Sequence, residues 1–476
     1  MSGVIWSGLQ QFSFIFVTFF ISILLARKLS PSEFGTIAML SIFISIGHQL
    51  INSGLTMSLI RDNNSDEEDY STVFFFNLIV SVFIYTVVYF LAPYIAVFYT
   101  KDILTDLIRV LGIVFIIQAF GSVQQSLMNK NMNFKKLTII NIPALILSGI
   151  IGIWMAYNHY GVWSLVAQSI SFAIFNTLLL WYHSKWKPKL FFSISKFKNH
   201  FNFGYNILFS GILNSIFSEA YTVIIGKFFP SAQLGYYLRA NSMSHLPSTS
   251  LSVLVHKVSF PLLSKIQDDD EKLTSSYRKI MQLITYVLAP TLVILAILAN
   301  PLFSFLITDK WLPAVPYFQI LVVNAFLYPI LAFNLEILIV KGRADLFLRA
   351  EVIKKIIIAG VLLISFQYGI LGLIYGSVVV SIIALFTNTY FSNQVINYSL
   401  PKQLLDILPA TIFSLLVGSI IYFIDKTLLS NSLDIIRLVV STLIFIILYL
   451  TITISAGLKA PKELLTILKI AFNKSL

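Results

Sequence analysis

Long apolar runs broken by short polar stretches fill the chain, and they predict fourteen helices, at about 3–25, 37–58, 71–97, 107–127, 137–157, 161–182, 203–226, 236–263, 279–299, 314–340, 352–368, 370–391, 404–424 and 435–455. About 20 apolar residues cross the hydrocarbon of a bilayer, so each run is of spanning length. Outer-membrane strands would alternate apolar and polar positions, and these runs do not. The fold class expected is therefore all-α: a polytopic membrane protein of about fourteen transmembrane helices. The eighth is the least apolar. The start, MSGVIWSGLQQ, lacks the cationic opening of a cleavable signal, so the first helix is read as retained.

Composition agrees. Residues of the AVILMFWYC class make up 57% of 476, charged residues 11%, and mean hydropathy is +0.84, which leaves too little polar surface for a water-soluble globule. With no cysteine, disulfides, iron–sulfur clusters and thiol catalysis are excluded. A net charge of +12 invites a nucleic-acid reading, but the cations sit between the apolar runs, so no nucleic-acid partner is expected. With the N-terminus inside, 24 of the 33 lysines and arginines fall on cytoplasmic segments and 9 on outer ones. Both termini are accordingly expected in the cytoplasm of a multi-pass protein. Arg27 and Lys28 alone argue the other way.

A shift of 200 residues lays ARKLSPSEFGTIA, from Ala26, over GKFFPSAQLGYYL, from Gly226, and a shift of 208 lays Tyr160, Gly161, Leu165 and Ser169 over Tyr368, Gly369, Leu373 and Ser377. Two nearly collinear matches indicate a duplication. Six helices per copy make the repeats parallel, the arrangement of a transporter with a path between two lobes. The boundaries expected are 1–182 for the first lobe, 183–202 for a basic linker and 203–391 for the second lobe. Residues 392–455 form two further helices, and 456–476 an amphipathic tail.

The repeat also carries polarity. Ser41, Ser45, His48 and Asn52 share one face of the second helix, and Asn241, His245, Ser248 and Ser252 share the corresponding face of the eighth. On the first and seventh helices Thr18 and Ser22 lie over Ser218 and Thr222, with Gln11 and Asn214 on the same faces. Inside hydrocarbon such faces must meet protein or water, so they either pack helices through small polar groups or line a wet path. Glu219 and Arg239 lie at similar depth on either side of the turn at Pro230. They form a structural bridge, a substrate-facing or ion-coupling pair, or charges that snorkel toward the lipid interface. Arg27 and Lys227 are repeat-equivalent cations at the outer mouth, where snorkelling at the interface explains them equally well. The linker HSKWKPKLFFSISKFKNH, from His183, mixes lysines with aromatics and is expected on the anionic leaflet, as is the tail. The acidic run Asp66 to Asp69 is expected to be a solvated helix cap. No phosphate-binding loop, zinc spacing or nucleophile elbow occurs in the sequence, so no cofactor or metal is expected.

The acidic run with YSTVFFFN from Tyr70, APYIAVFY from Ala92, NKNMNF from Asn129, YGVWSLV from Tyr160, FNFGYN from Phe201, IIGKFF from Ile224 and LGYYLRA from Leu234 resembles the Wzx-type lipid-linked oligosaccharide flippases. These belong to the multidrug, oligosaccharidyl-lipid and polysaccharide exporter superfamily. VSFPLLSKIQDD from Val258, KWLPAVPYFQIL from Lys310 and KGRADL from Lys341 continue the resemblance. It implies two six-helix lobes plus two helices, alternating access, and a cavity between the first, second, seventh and eighth helices. Its implied cargo is a polyprenyl-diphosphate-linked glycan, moved across a bacterial cytoplasmic membrane for lipopolysaccharide, capsule or exopolysaccharide. Glycosyltransferases and a glycan polymerase are its implied partners, with H+ or Na+ as coupling ion. Arg239 falls on the family's tyrosine-x-arginine-alanine pattern, whereas Tyr221 stands where many relatives carry an acidic residue. The substrate-binding residues expected are therefore Arg239, Glu219, Asn241, His245, His48, Asn52, Asn214, Gln11, Arg27 and Lys227. A drug exporter of the same superfamily would want cavity carboxylates in excess of cations. A membrane glycan polymerase, an enzyme, would want catalytic acids or a large outer loop.

Overall fold

The computed structural model describes residues 2–52, 54–461 and 463–464, and among them there is no strand. The helices are α1 (Ser2–Lys28), α2 (Pro31–Ala38), α3 (Ser41–Asn52), α4 (Leu55–Arg61), α5 (Glu67–Tyr99), α6 (Ile103–Leu111), α7 (Ile113–Lys130), α8 (Phe134–Tyr157), α9 (Trp163–His183) and α10 (Ile194–Phe228). They continue with α11 (Ser231–Lys265), α12 (Asp270–Ile297), α13 (Ala299–Ile307), α14 (Val315–Val340), α15 (Ala344–Ser365), α16 (Gly369–Ile396), α17 (Leu400–Thr427) and α18 (Asp434–Ser455). Two compact units divide between Gly235 and Tyr236, inside α11. Of the tail expected at 456–476, residue 462 and residues 465–476 lie outside the described residues.

Among the described residues eleven helical stretches are long and apolar enough to cross a membrane, or twelve if the bent pair at the start is one span. The difference from fourteen sits in two places. The polar face of α11 keeps its apolar content below that of a span, and residues 344–396 run on as one apolar stretch although a 3-10 turn at Phe366–Tyr368 separates α15 from α16. The helix expected at 37–58 is also broken. Ser30 caps α2 and Glu33 answers it, its Oε2 accepting from the Ser30 amide at 2.6 Å. The eight-residue α2 then ends at Met39, and the chain bends by 41° into α3.

In the first unit, α1 packs on α8 and α9 through Ile21, Leu25, Leu29, Leu145, Ala156 and Leu165. The two repeat-equivalent turns meet here. A Cβ on Gly35 would lie 1.7 Å from the Ser231 carbonyl oxygen, and one on Gly235 would lie 1.9 Å from the Pro31 carbonyl oxygen. Each glycine thus admits the backbone of the other copy, a reciprocal contact that only residues without a side chain permit. Ser32 and Ser231 share a hydrogen bond of 2.8 Å, and Lys101 donates to Ser231 Oγ at 2.8 Å and to Thr36 Oγ1 at 2.9 Å. Burial holds the Lys101 ammonium below the usual lysine range.

At the other end of this unit the acidic run does more than cap α5. Asp66 and Asp69 form a capping box, and Lys196 bonds Asp66 Oδ1 at 2.5 Å and Asp69 Oδ2 at 3.3 Å, while Lys189 pairs with Glu67. The Lys196 ammonium holds Asp66 well below the usual carboxylate range. Trp186 packs edge-on against Phe74 and Tyr70. The linker is therefore clasped to α5, with Lys185, Lys187 and Lys198 left exposed.

The second unit buries Tyr277, Phe333, Ile337, Tyr398 and Ile407 in one cluster. Beside it lies a polar knot. Asn334 accepts from Tyr277 Oη at 2.7 Å and from Gln403 Nε2 at 3.2 Å, and donates to Gln403 Oε1 at 3.1 Å, so α12, α14 and α17 are joined by satisfied bonds. Elsewhere hydroxyls are spent on their own helix. Thr285 bonds the Met281 carbonyl at 2.9 Å, Ser414 that of Ala410 at 2.7 Å and Thr453 that of Tyr449 at 2.7 Å, so these three donors are satisfied.

Candidate functional site

In the first unit the polar face of α3 turns partly toward α10. Ser41 donates to Glu219 Oε2 at 2.5 Å, so Glu219 has a partner within its own unit. His48 is half-buried with its ring edge-on to Phe115 of α7, 6.0 Å between centroids. The Asn52 side chain lies outside the described residues. Gln11 and Asn214 are exposed, as is Arg27 in the last turn of α1. Lys227 donates to the Phe98 carbonyl near the end of α5, where the helix dipole favours a cation. Glu219 belongs to the first unit and Arg239 to the second.

The second unit gathers the rest on α11. Pro247 and Pro261 interrupt this helix, each removing one amide from the ladder, and hydroxyls are dense between them. Arg239 is 7% exposed, and its guanidinium lies over the ring of the fully buried Trp311, 5.2 Å from the centroid. Asn241 is half-buried one turn of backbone before Ser244, whose hydroxyl bonds the Asn241 carbonyl at 3.0 Å. His245 meets Tyr328 of α14 edge-on, 5.7 Å between centroids, and the Ser248 hydroxyl is buried without a hydrogen-bond partner among the described residues.

The stripe does not stop at Ser252. His256 and Ser259 continue it at i+4 and i+7, and both bond one carboxylate on α14. His256 Nδ1 lies 2.8 Å from Glu336 Oε2, and Ser259 Oγ donates to Oε1 at 2.6 Å. Glu336 is 7% exposed. A cavity of about 430 Å³ opens on this wall, lined among others by Ser252, His256, Lys257, Tyr328 and Glu336. His245 with Tyr328 and His256 with Glu336 advance along both helices in the same sense, so α11 and α14 run parallel. Continuing the periodicity two steps past Ser252 would have found His256 and Ser259. Glu336 was hidden as the lone charge in an apolar run.

Arg239, two residues before Asn241, lies on the opposite side of α11 against Trp311, whereas the wall offers amide, imidazole and hydroxyl groups on one helix face with Lys257 beside the cavity. The wall can bind an anionic, hydroxyl-rich head group, and among the described residues no group of three or more metal-ligating side chains accompanies it.

Comparison with known proteins places the chain. It is 25% identical to the teichuronic acid biosynthesis protein TuaB of Bacillus subtilis over 73% of this chain and 72% of that protein. It is 24% identical to the lipopolysaccharide biosynthesis protein WzxC of Escherichia coli over 80% of this chain and 78% of that one. Among solved structures, lipid II flippase MurJ in an inward closed conformation superposes with a TM-score of 0.76 at 16% identity, covering 94% of this chain and 97% of that one, which shows a shared fold. The resemblance to Wzx-type proteins carried by the sequence motifs is thus borne out. Residues 24–316, more than half of the chain, match the family described as polysaccharide biosynthesis protein, and the chain belongs to that family.

Proposed function

We propose that this protein is a flippase that carries a polyprenyl-diphosphate-linked oligosaccharide across the cytoplasmic membrane by alternating access. The observation that carries the reading is the polar face of α11 from Asn241 to Ser259, which opens on a cavity of about 430 Å³. A diphosphate glycan cannot cross about 30 Å of hydrocarbon unaided, while its prenyl tail never needs to leave the lipid. Such a cargo calls for a wall that pairs a cation with amides, imidazoles and hydroxyls. Relatives named for teichuronic acid and lipopolysaccharide biosynthesis, and a fold shared with a lipid II flippase, support the same cargo class.

An exporter of cationic drugs fits less well. It would present open carboxylates, whereas both oxygens of Glu336 are engaged by His256 and Ser259, and Glu219 is held by Ser41. The parallel lobes of 1–182 and 203–391, the cytoplasmic termini and a transport role without covalent chemistry belong to this proposal. Its test is the sidedness of the lipid-linked glycan in cells lacking the protein. The repeat unit should accumulate on the cytoplasmic leaflet, and re-expression should restore its exposure outside. Unchanged exposure in the deletion strain would refute the proposal.

A further inference from the structure

We infer that Glu336 and His256 form a proton-binding site in the wall of the second unit, the site through which transport couples to a proton. The inference rests on the flippase reading and deepens it. Glu336 is the only charged residue between Val315 and Val340, and it takes no part in the neighbouring knot of Asn334, Tyr277 and Gln403. It turns instead to α11, where Oε2 meets His256 Nδ1 at 2.8 Å and Oε1 accepts from Ser259 at 2.6 Å.

The two side chains differ in access. Glu336 is 7% exposed, whereas the side chain of His256 is 63% exposed and lines the cavity of about 430 Å³. A proton arriving from the cavity therefore reaches Nε2 of the imidazole and is shared with the carboxylate through Nδ1. Without it, a carboxylate is left charged in a low-dielectric wall; with it, the pair is neutral overall. Such a pair takes up and releases one proton, and Ser259 bonds the carboxylate in both states.

A metal cation fits poorly. Hard cations ask for six or more oxygen ligands, and this cluster offers two carboxylate oxygens and one hydroxyl, with a nitrogen already turned to the carboxylate. The other titratable or charged groups around Glu336 are few. Lys257 of α11 lines the cavity, Tyr328 lies on α14 itself, and Tyr277 of α12 spends its hydroxyl on Asn334. From α15 the cavity receives Phe347, and α16 brings Asn388 and Ser392, neither of which titrates here.

The test uses the full chain in lipid nanodiscs and in liposomes. Infrared difference spectra between neutral and acidic pH should show a carboxylic-acid band in the wild type that Glu336→Gln lacks. His256→Asn should change the pH dependence of that band, because the carboxylate then loses its imidazole partner. Identical difference spectra for wild type and Glu336→Gln would overturn the site. In liposomes carrying a short prenyl-diphosphate disaccharide, an imposed pH gradient should change the wild-type rate. Glu336→Gln, at equal folded amount, should show no response to the gradient. A gradient response in Glu336→Gln equal to that of the wild type would overturn the coupling role. A titrating band together with no glycan movement by the wild type would overturn the flippase reading and leave the proton site standing.

Discussion

Adding one methyl group to Gly235 tests the contact between the repeat-equivalent turns. In Gly235→Ala the new Cβ falls 1.9 Å from the Pro31 carbonyl oxygen and 2.7 Å from its carbon, and no flexible side chain is there to give way. The approach is roughly 1.5 Å closer than ordinary contact, so the start of α11 must lift off α2. Overpacking of this kind costs about 1–3 kcal/mol, and backbone against backbone belongs in the upper half. About 2–3 kcal/mol moves the equilibrium between joined and parted turns by about 30–140-fold toward parted. Because the chain has no cysteine, Ser32→Cys alone reports on this contact, for Ser32 bonds Ser231 in the joined state. Modification of that cysteine by a hydrophilic maleimide should accelerate by a comparable factor in the Gly235→Ala background. Gly35→Ala, whose Cβ meets the Ser231 carbonyl oxygen at 1.7 Å, should behave alike. The two changes together should add little, since the first already parts the turns. Unchanged reactivity in either variant, or full additivity, would refute the reciprocal contact.

Four further outcomes are expected. Cysteines placed at Asn158 and Ser195 should label from outside and inside respectively, and the reverse pattern would overturn the orientation read from the cation distribution. Asn241→Leu should lower glycan export at normal protein abundance, whereas a fall in abundance would make Asn241 a packing contact. Arg239→Lys should keep part of transport and Arg239→Ala should lose most of it, because lysine retains the charge but not the planar fork that stacks on Trp311; equal activity of the two variants would argue against this. Because Lys196 depresses the Asp66 pKa, the clasp between linker and α5 is stabilised at neutral pH and weakens as pH falls below the ordinary aspartate value of about 3.9. Hydrogen exchange across residues 189–196 should rise in acid, and Lys196→Ala should remove that pH dependence.

The all-α membrane class was legible because apolar runs are local patterns. Periodicity also found the polar face of α11. It missed the other half of that site, because Glu336 belongs to another helix and a single acid in an apolar run carries no period. The break between α2 and α3 was not legible either: no glycine or proline marks Met39 and Leu40, and the capping box that sets the start of α2 lies upstream. Ion pairs such as Lys196 with Asp66 join residues 130 apart, so the run read as a solvated cap gave no sign of its clasp.

The hydroxyls that bond their own helix bear on how quickly a buried helix-packing face can diversify. Where Thr285 brings its own acceptor, exchanging threonine with valine strands no neighbour, whereas Thr453 also lies 3.1 Å from the buried Tyr286 hydroxyl. Lineages can therefore change a buried position such as Thr285 by a single substitution while the helices stay put. Asn334 stands at the opposite extreme. Its partners on α12 and α17 would be orphaned together by any single exchange, so that knot can change only through several coordinated replacements and should outlast shifts in the sugars carried.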